Sequence, residues 1–261
     1  MSRNYKIPTI KELFEAGVHF GHHTRRWHPA MESYIFTVKN DIHIIDLEQS
    51  LEKLEKACEF LYETAKKGGD IIFVGTKRQC REIVELGAKR CGAKFVTERW
   101  LGGTITNFHI IKKNVDKLID KKKGREEGAF DKYTKKERLL IDREIEKLNK
   151  NVGGLLGLKG VPAAIFVVDP KREKTAVSEA IKAGLPVVAL IDTNSDPRSI
   201  TYPIPGNDDA IKSTAIIVKA IADAVENGCK DINEESKEDV KLKEAKKGKP
   251  AKKVAKKTIK K

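Results

Sequence analysis

The 261-residue chain lacks most features of exported, membrane-embedded or cofactor-driven proteins. Its longest unbroken apolar run is Ala163–Val168, far below the roughly 18 residues that a membrane span needs. Four cysteines, Cys58, Cys80, Cys91 and Cys229, form no C-x-x-C pair, so the common zinc and redox signatures are missing. The opening segment MSRNYKIPTIKELFEAG has no apolar h-region. An export signal is therefore not expected, and the thiols read as free in a reducing cytoplasm. No G-x-x-x-x-G-K-S/T and no G-x-G-x-x-G follows a strand-like run, which removes the usual nucleotide cradles. No cofactor is expected. Acidic residues are nearly missing from one end: Lys241–Lys261 carries 11 lysines against Glu244 alone, a net of 11 − 1 = +10. Of the formal +14, residues 1–240 keep only 14 − 10 = +4. Net charge speaks to partners and not to fold. Any basic surface on the body must then be a local patch.

What is present alternates between strand and helix. Thr9-Ile-Lys-Glu12 is a capping box that opens a short helix ending at Gly17. Strand-like runs follow at Tyr34–Val38 and Ile42–Ile45. Asp46 caps a long helix whose apolar stripe is Leu51, Leu54, Cys58, Leu61 and Ala65, closed by Gly68-Gly69. Ile71–Val74, Ala163–Val168 and Val187–Ile191 are continuously apolar, as strands covered on both faces should be. A basic helix over about 77–91, a short strand at Lys94–Thr97, and a helix closing at Gly184-Leu-Pro186 lie between them. Asn207 or Asp208 caps a last helix with the stripe Ile211, Ala215, Val218, Ala222 and Val225, and Gly228 stops it. This rhythm predicts an α/β parallel sheet flanked by helices.

Residues 104–152 break the rhythm. Phe108, Ile111, Val115 and Leu118 step 3-4-3, and Ile141, Ile145, Leu148 and Val152 step 4-3-4. Two such helices joined through a polar stretch with Gly124 and Gly128 fold back as an antiparallel coiled-coil hairpin. Its first helix, 105–123, is roughly 28 Å long at the helical rise. The expected organisation is a core of 1–103 and 153–228, the 104–152 insertion, and a disordered Lys-rich tail at 229–261.

Three clusters carry candidate chemistry. Asp169, Asp192 and Asp196 sit at strand ends, where α/β proteins bind ligands, but each also opens a turn, the blander and favoured reading. His19, His22, His23 and His28 are candidate metal ligands, yet their spacing matches no standard site, so hydrogen-bonded loop histidines are preferred and no metal is expected. Gly75-Thr76-Lys77, with Arg78 and Arg81, follows a strand and suits an RNA phosphate at a helix start. Lys112, Lys113, Lys117, Lys121 and Lys122 load one helix of the hairpin, where phosphate attraction supplies sequence-independent affinity. Phe20, His22, His23, Trp27 and Tyr34, interleaved with Arg25 and Arg26, suit unpaired bases and a protein interface equally. An enzyme using Asp169 and Asp192 lacks a recognisable nucleophile or metal set, and no small-molecule substrate is expected.

Longer blocks are more specific: Gly17-Val-His-Phe-Gly-His-His-Thr-Arg-Arg-Trp27, Tyr34-Ile-Phe-Thr-Val-Lys-Asn-Asp-Ile-His-Ile-Ile-Asp46, Phe73-Val-Gly-Thr-Lys-Arg-Gln79, Glu98-Arg-Trp-Leu-Gly-Gly-Thr-Ile-Thr-Asn107, Phe166-Val-Val-Asp-Pro170, Ile191-Asp-Thr-Asn-Ser-Asp-Pro197 and Tyr202-Pro-Ile-Pro-Gly-Asn-Asp-Asp209. In this order, from about residue 5 to 228, they resemble the small-subunit ribosomal protein S-two family of bacteria. The resemblance implies a flavodoxin-like core with an inserted coiled-coil hairpin and no active site. It implies a cytoplasmic place on the back of the small ribosomal subunit, between head and body. The implied partners are small-subunit ribosomal RNA and neighbouring ribosomal proteins, ribosomal protein S-one among them. The Lys-rich tail lies outside the resemblance.

Overall fold

A computed structural model describes the backbone of residues 5–247 and the side chains of residues 5–232. The N-terminal helix α1 (Ile10–Glu15) has its full capping box, Thr9 and Glu12 each accepting from the other's backbone N–H. Three short strands follow: β1 (Phe20–His23), β2 (Ile35–Lys39) and β3 (Ile42–Ile45), paired antiparallel in the order β1-β3-β2. Asn40 and Asp41 take left-handed backbone at the β2–β3 turn, the conformation that a two-residue primed turn requires. Strand β1 has no alternating apolar pattern and did not stand out in the sequence.

Helix α2 (Leu47–Lys66) starts where Asp46 Oδ1 accepts from the Glu48 N–H at 2.9 Å. Strands β4 (Ile71–Val74), β5 (Lys94–Val96), β6 (Ala164–Val168), β7 (Val187–Ile191) and β8 (Tyr202–Pro205) form one parallel sheet in the order β5-β4-β6-β7-β8. Counted along the sheet-forming strands this is 2-1-3-4-5, the order of flavodoxin-like folds. Alternate residues face opposite sides. Ile71, Phe73, Phe166, Val188 and Leu190 pack under α1, α2, α3 (Arg81–Cys91) and α7 (Ile211–Lys247). Ile72, Val74, Ile165, Val167 and Ala189 pack under α6 (Lys174–Lys182) and the insertion. Both faces are covered, which is why the strands read as unbroken apolar runs.

The insertion is a pair of helices, α4 (Phe108–Glu126) and α5 (Lys135–Val152). Their ion pairs Lys117–Glu144, Lys121–Glu144 and Arg125–Asp142 set them antiparallel. Ile111, Val115, Leu118, Ile145 and Val152 are buried and join the core on the α6 side of the sheet. The insertion is therefore rooted in the domain, and its far end, residues 131–140, is exposed throughout.

Two expectations need correction. The basic helix opens at Arg81 and not near 77, because Thr76 and Lys77 turn into the domain. The last helix does not stop at Gly228; α7 continues to Lys247, so the tail expected to be disordered from 229 is helical that far, and 248–261 lies outside the described residues. Gly228 serves close approach. A Cβ there would lie 2.5 Å from the Tyr62 carbonyl oxygen and 2.8 Å from the Ala65 Cβ of α2. Beyond it Tyr62 donates to Asp231, tying α7 to α2. Gly228→Ala is expected to force α2 and α7 apart and cost about 2 kcal/mol, the usual penalty of overpacking. Urea unfolding measures this, and an unchanged midpoint would show that the pair yields freely. Ile211, placed in the helix stripe by its spacing, is 60% exposed.

Candidate nucleic-acid interface

The carboxyl ends of the parallel strands converge on a buried polar cluster. Thr76 and Lys77 follow β4, Asp169 follows β6, Asp192 follows β7, and Asn207, Asp208 and Asp209 follow β8. Asp169 closes its strand in left-handed backbone, φ +62°, with its Oδ1 accepting from the Arg172 N–H. Lys77 Nζ lies 2.7 Å from Asp208 Oδ1, 2.5 Å from Asp209 Oδ1 and 3.7 Å from Asp169 Oδ2. Burial alone would lower the Lys77 pKa, but the hydrogen bonds and charges of Asp208 and Asp209 outweigh it and hold the lysine above its ordinary value. Burial, reinforced by Asp169 and Asp192, pushes the Asp208 carboxyl up to about 7. Glu173 is raised by burial as well, against its hydrogen bonds from Thr76. Lys77, a phosphate contact by its place in the sequence, therefore faces the protein's own acids.

Strand β1 seals the same cluster from the side. The His22 N–H donates to Thr193 Oγ1 at 2.9 Å, and its ring Nδ1 lies 2.9 Å from Asp192 Oδ2. That hydrogen bond raises the His22 pKa. A Cβ on Gly21 would meet Thr193 Cγ2 at 2.6 Å, so glycine is what lets the strand sit there. The four histidines do not converge on a common point. His19 stacks on Phe14 (centroids 4.4 Å apart) and meets Phe20 at a tilt (4.1 Å), His23 is exposed, and His28 accepts from the Ala30 N–H through its own ring. Only His22 joins other ligating groups, Asp192 and Asp209, among the described residues.

The remaining basic candidates divide into two sets. Arg25, Arg26, Arg78, Lys112 and Lys113 are exposed and have no acidic partner among the described residues. Arg81 donates to the Thr76 carbonyl and to Glu98. Lys117 and Lys121 share Glu144, at 2.7 and 2.6 Å, and Lys122 donates to Asn149 at 2.7 Å. The shared pair holds the Glu144 carboxyl down at about 2. Three of the five lysines expected on the hairpin's positive face are thus engaged across the helix pair, leaving Lys112 and Lys113 near its root.

Among the aromatic candidates, Phe20 and Trp27 remain partly open while Tyr34 packs against the core. Trp27 leans on His43 at 5.2 Å and, with Arg26, Lys171 and Lys174, lines a cleft of about 500 Å³. Lys171, in the turn before α6, and Lys174, at its start, are not legible in the sequence because they lie about 145 residues from Arg26. The largest exposed aromatic surface on α1, Phe14 at 60%, was likewise missed.

The family model described as ribosomal protein S2 matches residues 13–228. The chain belongs to the ribosomal protein S2 family. Two similar proteins, from Dictyoglomus turgidum and Dictyoglomus thermophilum, each carry the name small ribosomal subunit protein uS2. Both are 52% identical over 225 residues, covering 86% of this chain and 91% of theirs. The ribosomal protein S2 match takes in both sheets, the helical insertion and every free cation named above. It ends at Gly228, part-way along α7. Among the described residues, no helix is long and apolar enough to cross a membrane.

Proposed function

We propose that this chain is a cytoplasmic structural constituent of the small ribosomal subunit, without catalytic activity, bound to ribosomal RNA and neighbouring ribosomal proteins. The family match along 13–228 carries the reading. The free cations fit it, since unpaired Arg and Lys supply most phosphate affinity. Arg25, Arg26 and Arg78 on the core and Lys112 and Lys113 on the insertion are the RNA contacts, and the insertion acts as a coiled-coil arm. The exposed Phe14 and Phe20, packed on the buried His19, face a neighbouring protein, with ribosomal protein S-one the reading that the resemblance favours. Against an enzyme, Asp169 and Asp192 are already engaged, by Lys77 and Arg172 and by His22 and Thr193.

Gradient sedimentation tests the proposal directly. The tagged full-length chain is expected to co-migrate with small subunits, and a slow free peak would overturn the assignment. Purified chain should bind small-subunit RNA with affinity falling steeply as salt rises. Reversing Arg25, Arg26, Lys112 and Lys113 to Glu should flatten that slope by about three to four units, near 0.9 for each phosphate no longer neutralised. An unchanged slope would remove these residues from the interface.

A further inference from the structure

The geometry points to a pocket for one unpaired nucleotide of RNA in the cleft that Trp27 shares with helix α6, the base lying against Trp27 and its phosphate held by Arg26, Lys171 and Lys174. The occupant rests on the ribosomal reading, which supplies the RNA. The cleft opens at the carboxyl ends of β6 and β7, with Pro170 following one strand and Asn194 the other. Its volume of about 500 Å³ falls in the range of pockets that enclose a small ligand. Its apolar lining comes from Trp27 in the N-terminal segment, from Val177 and Ile181 along α6, and from Ile200. Trp27 leans on the buried His43, ring centroids 5.2 Å apart, and the next residue is fastened by its N–H to the Thr193 carbonyl at 2.7 Å. An indole fixed before its ligand arrives loses little freedom on binding.

The charge around the cleft decides what fills it. Arg26, Lys171 and Lys174 are exposed and have no acidic partner among the described residues. Asp196 is the one acid in the lining, and Arg198 already holds it at 2.9 and 2.8 Å. Uncommitted donors complete the set. His28 Nδ1 accepts from the Ala30 N–H, so the ring proton sits on Nε2. The Ser178 and Ser199 hydroxyls make no hydrogen bond among the described residues. Helix α6 begins at the cleft without a side-chain cap, and an uncapped N-terminus adds positive potential. A nucleotide meets both halves of this lining: its flat base stacks on an aromatic ring, and its phosphate pairs with Arg and Lys. An apolar peptide would leave three cations idle, and an acidic one would leave the indole uncovered. A base inside a duplex cannot reach the indole, because its faces are already stacked on its neighbours. An unpaired one can. Trp27, suited by sequence to a base or a protein equally, is thus assigned to a base.

The test uses the full chain and an RNA hairpin carrying one bulged fluorescent adenine analogue, with its fully paired counterpart beside it. Wild type is expected to bind the bulged hairpin about tenfold more tightly, with the analogue's emission falling as it stacks. Trp27→Ala should erase both the preference and the quenching, while Trp27→Phe keeps most of each. Lys171→Glu with Lys174→Glu, at exposed positions, should reduce the salt slope for the bulged hairpin by about one to two units. Equal affinity of wild type for the two hairpins would overturn the pocket. So would adenosine monophosphate binding as tightly as the bulged hairpin, which makes the occupant a free nucleotide. A hexaglutamate peptide that displaces the hairpin at equal concentration would overturn it too, in favour of a protein segment. Salt-dependent binding of small-subunit RNA that every cleft variant retains in full would remove the cleft alone. Loss of that binding in wild type would remove the ribosomal reading with it.

Discussion

Glu179→Ala is expected to destabilise the protein by about 4 kcal/mol and to loosen the helical insertion from the core. Glu179 is only 8% exposed. Its Oε1 accepts from Trp100 Nε1 at 3.2 Å and from the Gly103 N–H at 2.7 Å, and its Oε2 accepts from the Ile105 N–H at 3.1 Å. One carboxylate on α6 therefore satisfies three donors at the joint where the chain leaves β5 and enters α4. Losing it strands those donors at about 1–3 kcal/mol each, less what water recovers at the half-buried Gly103. A loss near 4 kcal/mol is a large part of the 5–15 kcal/mol that holds a typical domain together. It should lower the melting temperature by about 10 °C or more at this chain length. Glu179→Gln keeps one acceptor oxygen but turns an amide N–H toward another donor, so it should fall between wild type and Ala. Hydrogen exchange supplies the second readout: protection at Ile111, Val115 and Leu118 should fall further than protection at Phe73 and Phe166. A uniform fall, or a loss below about 1 kcal/mol, would show that the joint is held by Trp100 packing alone.

The Glu179 joint also marks where sequence reading runs out. Local patterns were sufficient for most elements. Unbroken apolar runs found β4, β6 and β7 because both sheet faces are covered, and the capping chemistry of Thr9 and Asp46 fixed two helix starts. The 3-4 spacing of Phe108–Leu118 and Ile141–Val152 found the helix pair of the insertion. Strand β1 was invisible because FGHH carries no alternation; it is held by its pairing with β3, by the His22 N–H donating to Thr193 Oγ1 and by a glycine contact. Gly228 misled because a glycine that ends a helix and one that admits a neighbouring helix look alike in sequence. Only its approach to Tyr62 separates them.

The candidate site was legible in composition and not in wiring. Arg25, Arg26, Arg78, Lys112 and Lys113 stand free as a charge reading would have them, whereas Lys117, Lys121 and Lys122 answer to partners on the opposite helix of the insertion. A side chain's local pattern reports its own helix face. It does not report which acid a fold delivers from 25 or 130 residues away. Asp169 and Asp192 read as strand-end acids, but Asp196 pairs with Arg198 instead, and Asp208 and Asp209 join the cluster around Lys77 only in the fold.

Lys77→Met shows the consequence of that wiring, with an expected loss of about 3 kcal/mol and no effect on RNA affinity once the folded fraction is matched. The Lys77 side chain is 12% exposed and faces Asp208, Asp209 and Asp169. Removing one member of a buried ion pair costs about 3–5 kcal/mol, because the partner stays buried and uncompensated. The lower end applies because Asp209 is half exposed and can turn to water. Asp208 cannot: it is fully buried, and its second oxygen already lacks a partner. The double variant Lys77→Met with Asp208→Asn should therefore recover about half of the loss, since it removes the stranded charge together with its cation. Chemical unfolding of the two single variants and the double variant measures this coupling. If the double variant is no more stable than Lys77→Met, Asp208 is not the charge that Lys77 compensates. If Lys77→Met keeps full stability but loses RNA binding, the lysine is a phosphate contact after all, and its inward geometry belongs only to the unbound chain.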